Sequence, residues 1–476
     1  MPTRFPGGLA SVVALALLAS SCKRDAGPGT SGDTGASQPP SSHPSGAASV
    51  AAGSSAPRAS TGPGVPSASA NAPSTIDADP IPDAERRAIT ARIAFISERD
   101  GNPEIYVIHP SGEERRLTST PAGEYLASAS PDGTALLVVA AEEHPETKAH
   151  FEQILLLPLD GTPATPLGPR GSRIRNPHWS PDGQWLVFES DANNFSDIYR
   201  VNRDGKGLRP LTKNDEGNFD PALSADGKNI AFVSSRDGDP EIYRMRADGT
   251  AQTRLTAFHR EDRTPRWSPD GTQIAFVSDR EGRDRIFVMS ATGTQLRPLT
   301  AACATSTSKP TTPGGAPQPP AEAAPSTTSA PSGEAAPPAP SAAPAASPPA
   351  SSASSVSSAA PAGDAAAPQL AGEIEPLWSP DGKRIAYLTQ IPGVKPRIWL
   401  ADLATGACTP LTSSTHGAET PAWSPDGRYL AFASTRTGDP ELYLMRADGT
   451  GQTRLTRAKG PDWLPRWVPA ARPAPR

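Results

Sequence analysis

The stretch Trp179-Ser180-Pro181-Asp182-Gly183 returns at 267 to 271, 378 to 382 and 423 to 427, with variants at Ser130-Pro131-Asp132-Gly133 and Leu223-Ser224-Ala225-Asp226-Gly227. Proline at the second turn position presets φ, aspartate suits the third, and glycine takes the left-handed conformation at the fourth. An apolar run follows each copy, as in Ile230-Ala231-Phe232, then an Ile-Tyr or Leu-Tyr pair, then Arg-Leu-Thr or Pro-Leu-Thr. Trp179, Leu223 and Trp267 stand 44 residues apart, as do Trp423 and Trp467, and Trp378 to Trp423 is 45. A period in the low forties with four short strands per unit predicts a β-propeller.

Counting strands fixes the number of blades. Second strands begin near Ile93, Leu136, Leu186, Ile230, Ile274, Ile385 and Leu430, which makes seven units. First strands start only with the second unit, and a spare one, Pro465-Arg466-Trp467, stands near the C-terminus. Pairing that strand with the first unit closes the ring and removes its exposed edges. The fold class is therefore all-β, a seven-bladed propeller with a C-terminal strand completing blade 1. The Trp and Ile-Tyr residues are expected between blades, as core.

Proline (57 residues) and glycine (41) are abundant but uneven. Residues 1–22 read as an export signal, with Arg4 in a basic start and an apolar run from Leu9 to Leu18. That run is too short to span a bilayer. Ala19-Ser20-Ser21 before Cys22 resembles a bacterial lipobox, which implies lipidation of Cys22, and Lys23-Arg24 after it implies the outer membrane by the same resemblance. Residues 23–88 form a Pro/Ser/Ala/Gly tether expected to be disordered, because such composition buries too little apolar surface to offset ordering. The propeller then occupies 89–300, blades 1 to 5, and 373–469, blades 6 and 7 with the closing strand; 470–476 is a tail. Between the two parts, 301–372 is a second low-complexity tract, a tolerable insertion because loop-closure cost grows only logarithmically. Cys303 and Cys408 fall at opposite ends of neighbouring outer strands, roughly 17 to 20 Å apart, and free thiols are expected.

The repeat resembles the TolB-type propeller (WD40-like, or PD40, repeats): Trp-Ser-Pro-Asp-Gly, Ile-Ala-Phe, Asp-Gly-x-Pro-Glu-Ile-Tyr, Asp-Gly-Thr and Arg-Leu-Thr follow one another. The match is strongest over 217–300 and 417–456 and weakest in the second blade. The family's propeller has six blades, which makes six the alternative count. It also carries an α/β domain where this chain has the tether. The resemblance implies a periplasmic protein-binding scaffold with an envelope protein or peptide as partner.

A net charge of −5 provides no field for nucleic acid. No Gly-x-Ser-x-Gly nucleophile turn occurs, which argues against serine peptidase chemistry. His178, His259 and His416 precede or begin inner strands and would share one face, making them the candidates for a metal, yet they belong to non-adjacent blades and no carboxylate pattern joins them. Neither a metal nor another cofactor is expected. The acidic loops around Asp100, Asp237 and Asp439 have the turn chemistry of Asp, Gly and Pro and lack the oxygen alternation calcium needs. Arg266 and Arg466 occupy matching positions of two inner strands, next to His178, and are expected as a positive rim for a carboxylate-bearing partner. The expected protein is a monomeric, non-catalytic, lipid-anchored scaffold. A carbohydrate-active lyase or hydrolase at the channel mouth and a purely structural spacer are the alternatives.

Overall fold

The structure, a computed structural model, describes residues 79–120, 123–143, 150–300 and 372–471. Cys22, the signal, most of the tether, the insertion up to residue 371 and the end of the tail lie outside the described residues. Seven four-stranded antiparallel sheets form, and the only described helix is the short Asp83–Arg87. Among the described residues no helix is long and apolar enough to cross a membrane. Blades 2 to 7 each run from inner to outer strand in chain order, and blade 2 is complete despite its weak motif. Blade 1 borrows its inner strand, Asp462–Val468, from the other end of the propeller, and it pairs with Arg92–Ser97. Seven blades and the C-terminal closure are thus as the strand count predicts.

The turns are built as their sequence dictates. In Ser180-Pro181-Asp182-Gly183 the Gly183 N–H donates to the Ser180 carbonyl at 2.8 Å, with Gly183 at φ +67°. The Ser180 hydroxyl also donates to the Asp182 carboxylate and accepts from the Trp185 N–H, clamping the start of the next strand. Ser268 and Ser424 repeat the device.

Blades are held to one another by the tryptophans. Four indoles pack across seams, and their N–H groups donate to a carbonyl one blade back: Trp267 to Ala222, Trp378 to Arg266, Trp423 to Leu377 and Trp467 to Ala422, all within 2.9–3.2 Å. The apolar clusters link neighbouring blades in turn and close through one joining blades 7, 1 and 2. Trp and Ile-Tyr residues are inter-blade core, where burial of large aromatic surface dominates stability.

Two expectations are corrected. The tether does not extend to residue 88: Ile81 is buried, its N–H donates to Thr453 Oγ1 at 2.8 Å, and helix Asp83–Arg87 lies against blades 7 and 1. Its blade 7 partners Thr453 and Tyr429 stand more than 300 residues away in the chain, beyond the reach of local composition. Cys408, expected as a free thiol, is disulfide-bonded, with its partner outside the described residues. Cys408 packs against the apolar cluster that joins blades 5 and 6, which includes Leu299 just past the outer strand of blade 5.

Candidate functional site

Six inner strands share a second motif, a residue followed by proline three positions before the Trp or Leu that opens the turn. These residues are Asn176, Asp220, Thr264, Glu375, Thr420 and Leu464, and all have φ between 48° and 55°. At each, the pairing with the second strand slips by one residue, a β-bulge. The proline that follows disfavours the right-handed helical region, leaving the left-handed one to absorb the extra residue. Blade 2 supports this reading, since its bulge between Leu126 and Ser128 has no proline there and no positive φ.

The bulges bring together side chains from blades that do not touch. His178 of blade 3 lies in the fields of Arg266 of blade 5 and Arg466 of blade 1, and Glu375 of blade 6 lies in the fields of the same two arginines. Only the central channel can assemble groups from blades 1, 3, 5 and 6. Asn176 Nδ2 donates to Asp220 Oδ1 at 2.7 Å, and the Asp220 N–H donates to Glu189 Oε2 at 3.3 Å. Arg266 Nη1 donates to the Pro265 carbonyl at 2.9 Å. Arg466 holds the Pro465 carbonyl at 3.1 Å and, across the seam, the Ala127 carbonyl at 3.2 Å. A cleft of about 630 Å³ beside Glu375, Glu419 and Thr420 opens from this region toward blade 6.

Burial governs the charges. It holds the His178 imidazole neutral, lowering its pKa to about 3, with Arg266 and Arg466 adding to the effect. Burial raises Asp220 and Glu375 against the opposing pull of the arginines. Glu189 is pushed up to about 7, by burial first and by the Asp220 charge second.

That last shift has a measurable consequence. A carboxyl whose folded pKa exceeds its unfolded value carries more protons in the native state, so stability falls as pH rises from about 4.5 to 7. The full penalty is on the order of 3 kcal/mol at most. Glu189→Gln is expected to be more stable than the parent by about 1–3 kcal/mol at pH 8 and nearly equal to it at pH 4.5. Denaturant melts at the two pH values check this, and an equal gap at both would contradict it.

The structure brings His178, Arg266 and Arg466 together, at one register of their strands, opposite Val187, Ala275 and Ala94. It corrects the expectation that the three histidines share a face. His178 is the fifth of six residues in its strand, toward the turn end, whereas exposed His259 and half-buried His416 sit on connections entering blades 5 and 7. Among the described residues no three His, Cys, Asp or Glu gather as a metal site. The arginines line the channel interior and are half-buried, where a rim was expected. Glu241 and Glu441 of the acidic loops turn inward to hold the outer strand, accepting from Thr256 and Arg254 and from Thr456 and Arg454. Sequence reasoning did not find Asp220, Glu375 and Glu189. The proline two residues before each Trp or Leu position was the available signal for the first two.

The family described as the TolB beta propeller domain matches residues 213–317 and 369–473. A stretch of 40 residues is 52% identical to the Tol-Pal system protein TolB of Geobacter sulfurreducens, covering 8% of this chain and 9% of that protein. The chain spans less than a third of the length of the curated relatives it matches. Among solved structures, TolB from Acinetobacter baumannii is 18% identical, with 84% of this chain and 89% of that one covered and a TM-score of 0.44. An oligogalacturonate lyase in complex with manganese is 16% identical, with 77% and 85% covered and a TM-score of 0.49. The repeats that begin at Trp-Ser-Pro-Asp-Gly are thus similar to those of the TolB beta propeller domain over 213–317 and 369–473, and the fold they build is a TolB-like β-propeller.

Proposed function

We propose that this protein is a non-catalytic binding scaffold of the cell envelope, exported, lipid-anchored through Cys22 on the periplasmic side of the outer membrane, and docking another envelope protein or peptide. One observation carries the reading. On the face formed by the second-to-third-strand loops and the inter-blade connections, Phe195, Phe258 and Val394 are exposed. Exposed aromatics grouped on one face mark interaction surfaces, where such rings act as anchors.

The test is a pull-down from solubilised envelope with the full chain and with Phe195→Ala/Phe258→Ala. The parent is expected to retain one dominant protein, and the variant to lose at least about tenfold of it, the loss of two aromatic anchors. Equal recovery by both forms sinks the reading. A carbohydrate-active enzyme is the second reading, favoured by Glu189, with its pKa near 7, beside Asp220 in the channel. Turnover of an acidic polysaccharide that Glu189→Gln abolishes would select it.

A further inference from the structure

From blade 1 to blade 7 the register that carries His178, Arg266 and Arg466 reads Arg466, Ser128, His178, Ala222, Arg266, Leu377 and Ala422. Three long polar side chains stand on blades 1, 3 and 5, the small Ser128, Ala222 and Ala422 on blades 2, 4 and 7, and the apolar Leu377 on blade 6.

We infer that this tripod of Arg266, Arg466 and His178 is a receptor for a single carboxylate group on a slender ligand that enters the central channel. The guanidiniums make hydrogen bonds only to main-chain carbonyls, those of Pro265, Pro465 and Ala127, and form no salt bridge among the described residues. These bonds aim the planes and leave further N–H donors unused. Half-buried cations without a paired anion are costly, and a carboxylate is the group whose geometry their forks match. Glu375 lies in the field of both arginines and Asp220 in that of Arg266, yet neither carboxyl forms a salt bridge with them among the described residues. The His178 imidazole makes no hydrogen bond to any described residue, and in its neutral form it offers one N–H donor without adding charge. Nothing on this register supplies a second anion. A carboxylate would complete all three partners at once.

The inference rests on the reading of the propeller as a binder that leaves its ligand unchanged, but it concerns the channel and not the docking face. It is tested without the envelope partner, by calorimetric titration of the full chain with three probes: N-acetyl-trialanine, the same peptide as its C-terminal amide, and succinate. The free acid is expected to bind and the amide to bind at least about tenfold more weakly, since one charge-assisted pair is lost. Arg266→Gln and Arg466→Gln should each weaken the acid by about tenfold or more, and His178→Ala by about threefold to tenfold. If an arginine variant fails to fold, His178→Ala carries the test, because it removes a donor without removing a charge. Binding of the peptide acid assigns the carboxylate to a chain terminus, and binding of succinate alone assigns it to a free small acid. Failure of both acids to bind, or equal affinity for acid and amide, overturns the inference. Because the titration contains no envelope protein, loss of the partner in the pull-down and loss of carboxylate binding in the channel are read separately.

Discussion

Trp467→Ala is expected to lower the unfolding free energy by about 3–5 kcal/mol, and a chain truncated before Asp462 to lose cooperative unfolding altogether. Trp467 is 8% exposed, and its ring lies in the cluster that joins blades 7, 1 and 2. Its indole N–H also donates to the Ala422 carbonyl at 2.9 Å, so alanine removes both packing and a seam hydrogen bond. Trp467→Phe separates the two losses, keeping most of the packing and leaving the carbonyl unpaired for about 1 kcal/mol. Truncation goes further. The strand Asp462–Val468 pairs along Arg92–Ser97, and without it that strand becomes an open edge whose side chains, from Ile93 to Ser97, are fully buried in the intact ring. Asp462, wholly buried, accepts from Arg99 at 3.0 and 3.2 Å, and its removal leaves that largely buried cation with Glu114 as its remaining carboxylate partner among the described residues. Denaturant unfolding followed by tryptophan fluorescence measures both variants. A truncated chain that still unfolds in one steep transition would show that the ring does not need its closing strand.

The closure was legible in the sequence because every part of it is a local copy of something seen elsewhere. Pro465-Arg466-Trp467 has the shape of Pro265-Arg266-Trp267, and a strand lacking its hairpin partner in one place demands one in another. Turn and core residues are legible for the same reason, since each blade repeats the same problem and solves it with the same amino acids. The channel is different. Its chemistry resides at positions where the repeats disagree, with Asp220, Thr264 and Glu375 in one ring and His178, Ala222 and Arg266 in the next. A repeat pattern averages those differences away, and the pairing of blade 3 with blades 5 and 1 appears only when the ring is closed. Cys408 escaped for a related reason. A separation reckoned along the strands does not register the apolar cluster that joins blades 5 and 6 around Cys408.

Ile81→Ala is expected to lower stability by about 2–4 kcal/mol, although its immediate neighbours in the sequence read as tether. The side chain is 2% exposed within the cluster that seals blade 7 to blade 1, and it rests over Gly451. Beyond it, Glu85 accepts from Arg446 at 3.1 and 2.7 Å and from the Tyr429 hydroxyl at 2.9 Å, while the Ile89 carbonyl meets His109 Nε2 at 2.7 Å on blade 1. The segment therefore straps the seam that the closing strand seals from within. Its polar half is exposed by about a third, so Glu85→Ala should cost only about 0.2–1 kcal/mol, and the apolar residue dominates. Gly451 supplies an internal control. A Cβ there would stand 2.8 Å from Ile81 Cγ1, at a φ of +69° that already disfavours alanine. Gly451→Ala is thus destabilising through backbone strain and through collision with Ile81 and, at 2.7 Å, with Arg446 Nη1, and Ile81→Ala relieves only the contact with Ile81. The double variant should be less damaged than the sum of the single ones by about 0.5–2 kcal/mol, as expected for residues in direct contact. Additive losses in a denaturant-based double-mutant cycle would mean that Ile81 does not occupy that site in solution.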